Sequence, residues 1–118
     1  MVTTYDLPSY LRTAFPECSD VVAEIEHDDP DASVNAYSYM SEAFWWGVFQ
    51  PSIANGDWHS IAKCFTAVEV FLASTDSRLR AAAGIRVTPY LLDPALEDLV
   101  SRYAGPYLKA DLLRVRGV

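Results

Sequence analysis

A chain of 118 residues that is 51% hydrophobic and 13% aromatic carries enough apolar material for one self-supporting core, which excludes a disordered segment. A net charge of −7 and a pI near 4.6 exclude a general nucleic-acid binder, because that role needs a basic surface to neutralise phosphates. No apolar run reaches the roughly 18 residues of a membrane span, and the first ten residues lack the basic-then-apolar layout of a signal peptide. The expectation is therefore a single cytoplasmic domain over residues 1–118 that makes no membrane contact.

Asp6 is placed to cap a first helix with Pro8 in its first turn. Leu7, Tyr10, Leu11 and Ala14 or Phe15 form its apolar side, and Pro16 ends it. Ser19 or Asp20 opens a second helix through Val21, Val22 and Ile25, which breaks down at the solvated His27-Asp28-Asp29-Pro30-Asp31 turn. A third helix runs from Asp31 or Ser33 through Tyr37 and Met40, either separate from the next or continuous with it. The alternation of Tyr37 and Tyr39 leaves a short strand as the weaker option. Phe44, Trp45, Trp46, Val48, Phe49 and Ile53 then wrap more than half of a helix. A wrap that broad implies a central helix, or one whose second side meets a partner, and Pro51 should kink or restart it.

Asn55-Gly56 is a turn signal, and Asp57 is a good N-cap for the helix that follows. Trp58, Ile61, Ala62, Phe65, Val68 and Leu72 share one face of that helix, with Glu69 near the centre of the stripe. The next helix, capped by Ser74 or Asp76, places Leu79, Ala83, Arg86 and Tyr90 on a common face, so Arg86 is expected to point inward. A buried carboxylate needs a partner. Glu69 is accordingly expected to be largely buried and engaged by Arg86, Arg80 or a tyrosine hydroxyl. Asp93-Pro94 begins another helix with Leu96, Leu99, Val100 and Tyr103 on its buried side. Gly105 stops it, and Pro106 starts the last, which packs through Tyr107, Leu108, Leu112 and Val115. The tail, residues 114–118, is expected to fray. The count is six or seven helices with short connections, hence an all-α compact bundle in which consecutive pairs would stack much as in a short solenoid.

Catalytic chemistry finds little support. His27 and His59 are the only histidines, and neither Asp57-x-His59 nor Glu26-His27-Asp28-Asp29 has the spacing of a known metal site. Cys64 and His59, five residues apart on one helix, do not make a nucleophile pair. Cys18 and Cys64 read as inert reduced thiols, and the five glycines are scattered rather than gathered into a phosphate-binding loop. No catalytic residue, metal ligand or cofactor is therefore expected.

Charge is distributed unevenly. Between Thr13 and Ala62 there is no lysine or arginine, while the same stretch carries nine acids: Glu17, Asp20, Glu24, Glu26, Asp28, Asp29, Asp31, Glu42 and Asp57. Residues 63–118 hold eight basic and six acidic groups, so the whole negative excess belongs to the first half. Interspersed charges would keep a small domain soluble with less self-repulsion. The expectation is that Glu24, Glu26, Asp28, Asp29 and Asp31 form a surface for a basic protein partner. Tyr37, Tyr39, Trp45 or Trp46 would supply the apolar anchor that screened charges alone cannot.

The segment 47–93, followed by the stretch from Arg102 to Leu112, resembles a group of small bacterial all-helical domains of unknown function. In those, a helix with an aromatic-x-x-x-Glu core (here Phe65 and Glu69) pairs with one ending in Val-x-x-Tyr-Leu (here Val87, Tyr90 and Leu91). Some of these domains are thought to be immunity proteins encoded beside secreted toxins. The resemblance implies a non-catalytic binding protein that neutralises a cognate toxin, and it carries over no catalytic residues. The competing expectations are a small enzyme with an unrecognised acidic site and a structural or adaptor domain. An adjacent toxin gene or a metabolic operon would separate them.

Overall fold

In the computed structural model, which describes residues 1–31 and 35–117, every regular element is helical. Helix α1 (Leu7–Ala14) buries Leu7 and Leu11, and Pro16 ends it in a single 3-10 turn, Pro16–Cys18. Asp6 supports the entry rather than the helix: its Oδ2 accepts from the Thr3 N–H and hydroxyl, each at 3.0 Å. Helix α2 (Ser19–Asp28) buries Val22 and Ile25.

The central helix, α3, runs unbroken through Ala36–Ser38, Tyr39–Phe49 and Gln50–Asn55. It starts later than expected. Asp31 lies in the connection, and Ser33, the alternative start, lies outside the described residues. Tyr37 and Tyr39 are helical, so the strand option fails. The middle portion, Tyr39–Phe49, is wound as a π-helix. Its i→i+5 bonding widens the turn and stacks residues four and five apart. On that spacing Tyr39, Met40, Ala43, Phe44, Trp45, Val48 and Phe49 fall on one buried band, while Glu42 and Trp46 fall on the outer side. A residue set that wraps an α-helix broadly thus becomes two-sided. Winding returns to α at Gln50, next to Pro51, which has no N–H to contribute to either pattern.

Gly56, in the left-handed region at φ 63°, turns the chain into α4 (Trp58–Leu72). Asp57 caps α4 by accepting from the Ser60 N–H at 3.2 Å. Ile61, Cys64, Phe65, Ala67, Val68, Phe71 and Leu72 are buried. Trp58 does not join them: at the first position of α4 it overhangs the core and is 56% exposed.

Helix α5 (Ser77–Arg86) is capped by Asp76, not Ser74. Asp76 Oδ1 accepts from the Arg78 N–H, and its Oδ2 accepts from the Thr4 N–H at 2.8 Å, tying the N-terminal segment to the α4–α5 turn. Ser74 completes the tie by donating its hydroxyl to the Val2 carbonyl. Bonds to the carboxylate, the Thr4 N–H first, hold the Asp76 carboxyl below its usual range.

The expected long helix to Tyr90 breaks after Arg86, because Pro89 cannot continue an α-helical bond pattern. Two 3-10 turns, Thr88–Leu92 and Pro94–Leu96, lead into α6 (Glu97–Tyr103), and Gly105-Pro106 starts α7 (Pro106–Arg116). Of the tail expected to fray, residues 114–116 belong to α7, which ends on Gly117 at φ 79°, and Val118 lies outside the described residues.

These make seven helices, with no strand among the described residues. Helix α3 packs against α1, α2, α4 and α5, and α7 closes over α4. Ring contacts trace the core from Tyr10 through Phe71, Phe44, Phe49 and Phe65 to Tyr103, with successive centroids 5.1–5.7 Å apart. Edge-on and offset ring pairs at this spacing add to the gain from burial alone. The Cα radius of gyration, 13.4 Å, matches the roughly 13.5 Å expected of a compact domain this long.

The role expected of Glu69 is corrected. It is half-buried, and its carboxylate accepts the Tyr107 N–H at 3.0 Å and the Leu108 N–H at 2.7 Å. It therefore caps α7 from α4, where the exposed amide groups and helix dipole favour a negative charge. Arg80 donates instead to the Ser74 carbonyl at 2.7 Å, and Arg86 is exposed, over the ring of Tyr37 at 5.5 Å. Backbone donors replaced the guanidinium because α7, the last helix, returns its N-terminus to the side of α4.

Candidate partner-binding surface

Burial of Val22 and Ile25 turns the opposite side of α2 to solvent, and the spacing i, i+4, i+8 places Asp20, Glu24 and Asp28 there. All three are exposed, as are His27 beside them and Glu17 in the preceding turn. Their charges crowd one helical face.

Two of the other expected acids, Glu26 and Asp29, are committed to the fold. Glu26 is ion-paired with Arg12, joining α2 to α1, so its charge is compensated locally. Asp29 Oδ1 accepts the Asp31 N–H at 3.0 Å, and the Asn35 side chain donates to the Asp29 carbonyl at 2.8 Å. These bonds hold Asp29 against Asp31 and Asn35. Asp31 is exposed.

The four aromatic candidates divide in two. Tyr39 and Trp45 are core residues, 0% and 3% exposed, and cannot reach a partner. Burial, with Glu26 next in importance, raises the Tyr39 phenol. Tyr37 and Trp46 lie on the outer stripe of α3, 37% and 50% exposed, with Glu42 between them at spacings of five and four. Trp46 meets Tyr90 edge-on, with centroids 5.4 Å apart at 75°, and Trp45 stacks flat on Tyr90 at 4.9 Å. Tyr90 and Glu42 were not among the expected surface residues. Tyr90 was hidden by the expectation that the helix capped by Ser74 or Asp76 carries on to include it. The Pro89 signal that breaks it was present in the sequence.

Elsewhere the surface offers less chemistry. His27 and His59 line separate shallow depressions, the first with Glu24 and Asp28, the second with Tyr10 and Lys63. Cys18 and Cys64 are buried free thiols, and burial pushes them up to about 11 and about 12, so both are protonated at neutral pH. Among the described residues no three His, Cys, Asp or Glu side chains gather as metal ligands do. No helix among them is long and apolar enough to cross a membrane. A groove of about 430 Å³ between the 3-10 turns, α6 and α7 is lined by Leu91, Leu113 and Val100, with Asp93 and Glu97 and with Lys109 and Arg116. Comparisons with family models, curated proteins and solved structures gave no match.

Proposed function

We propose that this chain is a non-catalytic binding protein, most specifically an immunity protein that neutralises a cognate bacterial toxin carrying a basic surface. The observation that carries the reading is charge segregation. Fifty consecutive residues lack lysine and arginine, and the exposed side of α2 within them presents Asp20, Glu24 and Asp28. A toxin that acts on nucleic acid or nucleotides has a basic cleft. An acidic helix face associates with such a cleft quickly by electrostatic steering and blocks it. The exposed aromatic residues Tyr37 and Trp46 are available as apolar anchors, of the residue type that dominates binding energy at interfaces. The resemblance of residues 47–93 and 102–112 to small bacterial helical domains of unknown function, some of them thought to be immunity proteins, supports this role.

Co-expression provides the test. The product of the adjacent gene is expected to arrest growth when expressed alone, and to form a stable complex with this protein that restores growth. Unrelieved toxicity, or a harmless neighbour that forms no complex, would overturn the immunity reading.

A further inference from the structure

Beside the acids of α2 the exposed apolar surface is only the small side chain of Ala23, yet the outer stripe of α3 and the turn after α5 bring two half-exposed rings together. Trp46 and Tyr90 stand at 75° with centroids 5.4 Å apart and remain 50% and 43% exposed. Trp45, itself buried, lies parallel to Tyr90 at 4.9 Å and covers one face of that ring. What Tyr90 still exposes must come from its other face and rim. The two rings therefore form an open corner that a buried tryptophan holds in place before any ligand arrives. Glu42 lies one π-turn before Trp46 on the same stripe, and it is exposed.

The geometry points to this corner as the receptor for a single arginine or lysine side chain of the basic partner, with Trp46 and Tyr90 supplying ring faces and Glu42 the counter-charge. The inference rests on the reading of this protein as the binder of a basic protein, and it names the anchor that the acidic face lacks. Aromatic rings attract cations through their negative faces, and the attraction strengthens where water is excluded. A neutral apolar side chain would fill the corner equally well by shape, but Glu42 would then lose water without gaining a partner. The chain already contains the same contact in smaller form: its own Arg86 sits over Tyr37, at the far end of the stripe from Trp46. Glu42 lies between Tyr37 and Trp46 on the stripe.

The test is a nuclear magnetic resonance titration of the folded 118-residue protein with the acetylated, amidated peptide Gly-Arg-Gly-Arg-Gly. The neutral control is the same peptide with citrulline in place of arginine. Saturable shifts at the Trp46 indole N–H and the Tyr90 ring are expected with the arginine peptide, and at least tenfold weaker binding with the citrulline peptide. Trp46→Leu, which keeps apolar bulk but removes the ring face, should weaken arginine-peptide binding at least fivefold. Glu42→Gln, an exposed change that leaves the core intact, should weaken it severalfold and flatten its salt dependence. Equal shifts with both peptides would overturn the assignment. Arginine-specific shifts confined to Asp20, Glu24 and Asp28 would overturn the corner while leaving the basic-partner reading standing. No saturable shift on either surface would count against both.

Discussion

Replacing Gly105 by alanine tests how α4 and α7 are joined. At φ −87° and ψ −177° the Gly105 backbone is accessible to any residue, so no conformational strain is involved. The obstacle is space: an added Cβ would lie 2.3 Å from Glu69 Oε1, 2.4 Å from Cδ and 2.7 Å from Cγ. The methyl group must therefore evict the carboxylate from the α7 N-terminus. Loss of the part-buried bond from Leu108 to a charged acceptor costs about 1.5–3 kcal/mol. The exposed bond from Tyr107 is rehydrated when lost and adds at most about 1 kcal/mol. Removing the charge from the helix end adds about 0.3–1 kcal/mol. Gly105→Ala should therefore destabilise by roughly 2–5 kcal/mol and lower the melting temperature by roughly 8–20 °C in a domain of this size. In a Glu69→Ala background the obstacle is gone, and alanine should be neutral or stabilising by about 0.4–1 kcal/mol through the unfolded chain. Urea denaturation of both single variants and the double variant closes the cycle. An equal cost for Gly105→Ala in both backgrounds would refute the reasoning.

Three further outcomes follow from other contacts. Asp76→Asn keeps a capping side chain but loses the charge that the Thr4, Arg78 and Leu79 N–H groups favour. Because the Asp76 value is depressed on folding, the wild type should be the more stable of the two above pH ~4. The difference should shrink as pH falls through the lower folded value, and thermal melts from pH 7 to pH 2 that keep a constant gap would contradict it. Trp45→Ala should cost about 3–5 kcal/mol as a buried ring. Trp46→Ala, at a half-exposed position, should cost less than about 1.5 kcal/mol, and chemical denaturation that reverses this order would place the wrong tryptophan in the core.

The helical class was legible because caps and breakers act locally. Asp57 caps α4, Pro16 ends α1, and Gly105-Pro106 separates α6 from α7, as those residue types dictate. The winding of Tyr39–Phe49 was not legible at a period of 3.6, yet the same residues separate cleanly into buried and exposed sets at spacings of four and five. Glu69 was correctly singled out as a carboxylate in need of a partner, but its donors are main-chain groups 38 and 39 residues away, to which side-chain patterning is blind. At the candidate surface, the exposed acids of α2 follow directly from the positions of Val22 and Ile25. Tyr39 and Trp45 turned inward because the π-winding, not the α-winding, decides which side of α3 they occupy.

In the proposed complex the exposed side of α2 steers this protein onto its basic partner, and association kinetics report on that step. Asp20, Glu24 and Asp28 are the residues to reverse together to lysine, because Glu26 and Asp29 serve the fold through Arg12, Asp31 and Asn35. With the adjacent gene's product as partner, stopped-flow association at several salt concentrations should show the wild type binding fast at low salt and slowing steeply as salt rises. The triple variant, confirmed as folded by circular dichroism, should associate at least tenfold more slowly at low salt, with a nearly flat salt dependence. An unchanged association rate and salt slope in the folded variant would remove α2 from the interface and contradict the account.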